Sequence, residues 1–163
     1  MTQNKDFIKK LGVMALGSRL KRLNDRLNKS VSIIYRDLDV DFEPGWFTMI
    51  NMLNDNSPIS ITELAAELDL THPGIIKISN ELAKKGLVKS RKDKNDERRR
   101  LLALTPKGKK LVKKLQPTWN NIATVANQLL DSADYDLLKL IDQIESELDN
   151  KEFHKRYYSF TGG

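Results

Sequence analysis

The sequence predicts a mainly α-helical protein that carries one small β-hairpin. Three observations lead there. Apolar residues recur at spacings of three and four over most of the chain, the period of helices with one buried face. One stretch, Leu87–Leu104, loses that period, follows a glycine and holds the turn-forming pair Asn95-Asp96 at its middle. Cysteine is absent, which removes disulfides, cysteine-zinc sites and thiol redox chemistry as organising principles.

The helices follow in order. Leu16, Leu20, Leu23, Leu27, Val31, Ile34 and Leu38 make a single apolar seam, so residues 6–38 are expected to form one long helix, its first turns weakened by Gly12 and Gly17. Pro44 suits the first turn of a second helix whose apolar face is Trp46, Phe47, Ile50 and Leu53. Ser60 and Glu63 have capping-box spacing, placing a helix start at Ile61. Thr71 can cap the next helix, with Pro73 in its first turn, a buried stripe of Ile75, Ile78 and Leu82, and a stop at Gly86. Two short helices about a tight turn at Leu70 are a helix-turn-helix candidate.

Leu87–Lys92 and Arg100–Leu104 are read as paired strands, with Leu102 and Leu104 on one face. Thr105-Pro106 restarts a helix with the seam Leu111, Leu115, Trp119, Ile122, Ala126 and Leu129, kinked by Pro117. Ser132 is expected to cap a last helix carrying Leu137, Ile141, Ile144 and Leu148. A tail with Phe153, Tyr157, Tyr158 and Phe160 follows. The predicted organisation is an N-terminal helix at 1–40, a helix-turn-helix and hairpin region at 41–105, and C-terminal helices with the tail at 106–163, intertwined as one domain.

Charge is segregated. Between Lys84 and Lys114 there are fourteen Lys/Arg against three acids, a net of +11, which leaves −5 of the chain's +6 for the remainder. A basic block on a mildly acidic body is the footprint of a polyanion-binding surface. No apolar run approaches the ~18 residues of a membrane span, and the N-terminus lacks the apolar core of a secretory signal. The expectation is a cytoplasmic protein without membrane partners.

The helix order, the stretch ITELAAELDLTHPGIIKISNELAKKGLV and the hairpin DKNDERRRLLALT together resemble the multiple-antibiotic-resistance regulator (MarR) family of bacterial transcription factors. The likeness runs from about residue 7 to residue 150. Its most specific part is the hairpin, where Asp93, Asp96, Arg98, Leu101, Leu104 and Thr105 stand in the family's register and Lys107-Gly108 continues it. Glu97 departs from the pattern, standing where the family often has arginine. The resemblance implies winged helix-turn-helix lobes in a homodimer interlocked through terminal helices, a pseudo-palindromic operator in double-stranded DNA, and a crevice where a small-molecule effector often binds.

Candidate site residues follow. On the recognition helix they are Thr71, His72, Gly74, Lys77 and Asn80, whose positions suit major-groove base edges and phosphates. On the wing they are Lys94, Asp96, Arg98, Arg99 and Arg100. Arg98 suits a narrow minor groove, Asp96 can aim it, and Lys94, Arg99 and Arg100 suit phosphates, with neighbours on the strand alternating faces. Tyr35, Phe42, Trp46 and Phe47 would border the effector crevice, packing being the simpler role for them. Two histidines more than 80 positions apart, with no cysteine and no Gly-rich phosphate loop, compose no catalytic or metal-binding constellation. The leading expectation is a DNA-binding transcriptional repressor without cofactor; the alternative is a non-specific architectural DNA- or RNA-binding protein.

Arg98→Ala should weaken operator binding with a stability change of no more than about 0.5 kcal/mol. It should reduce the salt dependence of log K by roughly one unit of slope, more so where A·T-rich sequence lies under the wing. A salt titration on two duplexes that differ only in their flanks reads both effects; unchanged slopes would make the arginines a solvated face.

Overall fold

The computed structural model describes residues 6–93, 96 and 99–162. The chain divides into two compact units, Met1–Leu115 and Gln116–Gly163.

The first unit begins with α1 (Phe7–Lys10), a short 3-10 turn at Gly12–Ala15 and α2 (Leu16–Asp37). The single helix expected over 6–38 is therefore interrupted. Gly12 adopts φ +56°, outside any right-handed helix, whereas Gly17 lies inside α2 without breaking it. A 3-10 turn at Pro44–Trp46 leads into α3 (Phe47–Asp55), followed by β1 (Ile59–Ser60), α4 (Ile61–Glu67) and α5 (His72–Lys84). The wing strands are β2 (Val88–Lys92) and β3 (Arg100–Leu104), and α6 (Pro106–Asp131) follows.

The sheet has three antiparallel strands in the order β1-β3-β2. Val88 pairs with Leu104 and Lys92 with Arg100, so the expected hairpin forms. β1 was not expected. At two residues it is too short to show alternation in sequence, and only its pairing of Ile59 with Leu102 and Ser60 with Leu101 defines it. The core of this unit gathers Met49, Ile50 and Leu53 of α3, Leu64 of α4, Ile75 and Leu82 of α5, and Leu102 and Leu104 of β3, all buried. Each supplies roughly 1.5–3 kcal/mol of transfer free energy on burial.

Three helix ends in this unit share one device. After α2 the Val40 N–H reaches the Tyr35 carbonyl and the Asp39 N–H the Arg36 carbonyl. After α4, Leu70 reaches Ala65 and Asp69 reaches Ala66; after α5, Leu87 reaches Leu82 and Gly86 reaches Ala83. Each is the paired-hydrogen-bond Schellman stop, which needs a left-handed residue just past the helix. Gly86 supplies it at φ +70°, but Asp39 and Asp69 supply the others at φ +51° and +48°. Aspartate tolerates that region better than most side chains, yet less well than glycine.

In the second unit the last turns of α6 are followed by α7 (Leu137–Asn150) and α8 (Phe153–Thr161). The cap of α7 is Asp136, whose carboxylate accepts from the Lys139 N–H at 3.1 Å, and not Ser132. The Ser132 hydroxyl instead donates back to the Leu129 carbonyl at 2.7 Å and so finishes α6. The expected tail is helical: Arg156 of α8 donates to the Lys151 carbonyl at 2.8 Å and pairs with Glu147 of α7 at 2.8 Å, folding α8 back on the turn. Its aromatics stay exposed, Phe160 at 90%.

Asp69→Gly and Asp39→Gly should each stabilise the fold by about 0.5–1 kcal/mol, the relief of left-handed strain outweighing the added backbone freedom. Urea denaturation with an unchanged m-value checks this; a loss of stability at either position would show that the aspartate side chain holds its turn.

Candidate nucleic-acid interface

The helix-turn-helix is built from two caps and a shared core. Ser60 accepts from the Glu63 N–H at 3.2 Å while the Glu63 carboxylate accepts from the Ser60 N–H at 2.9 Å, closing the expected capping box. Thr71 caps α5, its hydroxyl accepting from the Gly74 N–H at 3.2 Å. Leu64, Ile75 and Leu82 are fully buried between the two helices and the sheet, and Leu70 occupies the turn. At its other end α5 is held by the Glu81 carboxylate, which accepts from the Trp46 indole N–H at 3.0 Å. These contacts fix the rotation of α5 about its axis, and with it the set of side chains turned outward.

That outward set contains Lys77 and Asn80, exposed opposite the buried Ile75, Ser79 and Leu82, together with Thr71 and His72, exposed at the helix start. Gly74 is half-buried. A methyl at 74 would lie 3.2 Å from the Thr71 hydroxyl oxygen, so the cap already accounts for the glycine. Ile76 belongs to the same outward face at 42% exposure and was missed by sequence reasoning. The sequence carried no signal for it, because singly exposed apolar side chains are ordinary on protein surfaces.

On the wing, Lys94 and Arg98 lie outside the described residues. Asp96 is exposed, and its carbonyl accepts from the Arg99 N–H at 2.9 Å. Arg99, expected to meet phosphate, is exposed; its guanidinium pairs with Glu63 at 2.9 Å and reaches the Ser60 hydroxyl at 3.4 Å. Arg100 is exposed beside the Ser90 hydroxyl at 3.4 Å. Lys89 and Arg91 are exposed on the hairpin face opposite Val88, Leu102 and Leu104, and they extend the basic surface beyond the residues expected from the turn.

The aromatic group is packed. Tyr35, Phe42 and Trp46 are buried and meet edge-to-face at centroid distances of 5.2 and 5.6 Å, while Phe47 is 40% exposed. A groove of 260 Å³ borders Tyr35 and Phe42, with Ser32, Arg36, Asp41 and Glu43 around it. Among the described residues no helix is long and apolar enough to cross a membrane, and no group of three or more metal-binding side chains assembles.

Residues 40–99, which hold the capped helix pair and most of the hairpin, match the family model described as MarR family. Over those residues the chain is similar to the MarR family. The chain is 28% identical over 101 residues to the transcriptional repressor MprA of Escherichia coli K12, a match that covers 57% of each. It spans 39% and 57% of the lengths of two curated relatives that it matches. The MarR protein of Peptoclostridium difficile has a similar fold, with a TM-score of 0.68 and 22% identity over 85% of this chain and 90% of that one. A mutant MarR of E. coli complexed with operator DNA is similar at a TM-score of 0.68 and 17% identity, over 88% and 98%. At these identities the likeness establishes the MarR fold.

Hydrogen bonds from Ser60, and then the guanidinium of Arg99, hold the Glu63 carboxyl below its ordinary value of 4.5. A lowered folded-state value contributes stability that is present above the ordinary value and lost as pH falls through the folded one. The wild-type protein should therefore lose stability below pH 4.5 more steeply than Glu63→Gln does. Denaturation midpoints from neutral pH down to about pH 3 measure this; parallel curves would remove Glu63 from the acid response.

Proposed function

We propose that this protein is a sequence-specific DNA-binding transcriptional regulator, a repressor acting as a homodimer on a pseudo-palindromic operator. The observation that carries the reading is the outward face of α5. Its rotation is fixed by two caps and a buried core, and it offers Thr71, His72, Lys77 and Asn80 to solvent together with Ile76. Asn80 can pair with an adenine edge, Lys77 with guanine or phosphate, and Ile76 can meet a thymine methyl. Thr71 and His72 lie at the helix start, where phosphate is favoured. Lys89, Arg91 and Arg100 take the flanking backbone.

The dimer is supported by the apolar row on α2. Leu16, Leu20, Leu23 and Leu27 are 43–55% exposed, more contiguous apolar surface than a free helix keeps in water. Leu140, Ile144 and Leu148 of α7 are exposed in the same way. The groove beside Tyr35 and Phe42 is the place for a small-molecule effector that releases DNA. The repressor name of MprA and the operator DNA in the E. coli MarR structure support the reading.

Selection of bound fragments from a genomic library, followed by footprinting, tests it: a protected palindrome is expected, and uniform protection of any duplex overturns it. On that operator Lys77→Ala or Asn80→Ala should cost roughly 1–3 kcal/mol of discrimination between bases. Equal weakening on operator and random DNA would assign those side chains to phosphates.

A further inference from the structure

A second basic surface lies at the opposite end of α5 from the proposed DNA-reading face. Lys84, Lys85, Lys107, Lys110 and Lys114 line one cleft of 520 Å³ within the first unit. Twelve residues of helix separate Lys84 from His72, about 18 Å along the axis. The cleft is out of reach of a base edge or phosphate held at the start of α5.

Two of the five lysines have structural work. Lys85 pairs with Asp41 and lies 5.5 Å from the Trp46 ring centroid, and Lys107 donates to the Lys85 carbonyl at 2.7 Å. Lys84, Lys110 and Lys114 have no hydrogen-bond or ion-pair partner among the described residues. Asp39, the other acid of the cleft, is exposed at its edge. The floor is apolar, from Leu87 and Leu111.

Helix-end chemistry explains part of this. Cations at the C-terminus of α5 complement its dipole, which accounts for Lys84 and Lys85. It works against the others. Lys107 and Lys110 stand in the first turns of α6, at the positive end of a 26-residue helix with no acid in its first turn. Lys110 and Lys114 are a like-charge pair at i,i+4, which costs about 0.2–0.5 kcal/mol. A helix start that concentrates cations against its own dipole, and turns them into a cleft, is relieved by a bound anion.

The chemistry of the donors selects the anion. The cleft contains no arginine, so it has no planar fork for a carboxylate. Compact ammonium groups spread over one turn, roughly 6 Å of rise, suit tetrahedral groups carrying several charges. We propose that this cleft binds a diphosphate group, free or carried on a nucleoside. The site is separate from the Tyr35–Phe42 groove and does not depend on the DNA-binding reading.

The test uses calorimetry on the full-length chain with pyrophosphate and, in a second arm, ADP, at fixed ionic strength. Saturable binding with a dissociation constant below about 1 mM is expected in at least one arm. Tighter binding of ADP identifies a nucleotide as the source, and equal or weaker binding a free diphosphate. The double variant Lys110→Gln with Lys114→Gln keeps two good helix formers at exposed positions and should weaken binding about tenfold. Absence of saturable heat in both arms overturns the proposal, and so does a double variant that binds like the wild type. A double variant that loses DNA affinity by the same factor as pyrophosphate affinity assigns the lysines to the DNA backbone and also overturns it.

Discussion

The hydroxyl of Ser60 is where three elements of the winged helix meet. The residue is 2% exposed, pairs with Leu101 as the end of β1, caps α4 through the Glu63 N–H, and lies within reach of the Arg99 guanidinium at the base of the wing. Because the same side chain ends a strand and starts a helix, the direction of α4 is set by the sheet. Because Arg99 bridges to the Glu63 carboxylate, the wing is tied to the helix that positions α5. The angle between α5 and the wing is thus held by a polar junction around the buried Ser60 in addition to apolar packing. Hydrogen bonds of that kind are directional where apolar contacts are not.

Much of this was legible in the sequence where the signal is local. The S-x-x-E spacing of Ser60 and Glu63, the Thr71–Pro73 start, the Gly86 stop and the Thr105-Pro106 restart all fix conformation within four residues, and each appears where expected. What was not legible depends on partners distant in sequence or on residues serving in unusual roles. β1 exists only because β3 lies beside it. The Glu63 partner of Arg99 is 36 positions away, so an arginine in a basic run gave no sign of that pairing. Asp39 and Asp69 take positions that glycine usually marks. Ser132 and Asp136 are both good caps, and the choice between them was made by where α6 runs out.

The two basic surfaces separate along α5 because a helix is polar from end to end. At its start the orphan N–H groups and Thr71 favour anions, and the outward residues there are donors suited to nucleic acid. At its end the carbonyls favour cations, which draws Lys84 and Lys85 to that side, and the lysines of α6 add to them.

The β1–β3 pairing also bears on how the module can change over generations. It joins Ile59 to Leu102 and so closes the whole helix-turn-helix into a loop, while the pairing of β2 with β3 runs to Lys92 and Arg100 and is followed by a bond from the Asp93 N–H to the Arg99 carbonyl at 3.0 Å. Changes of length between Asp93 and Arg99 fall outside the strands and leave the register of β2 with β3 untouched, so tip length and tip charge can drift among descendants. A single residue inserted between Ser60 and Ile61 would separate the strand from the helix it caps, and one gained or lost within β3 would exchange its buried and solvent faces. Changes of length are thereby tolerated at the tip and penalised in the frame that holds α5.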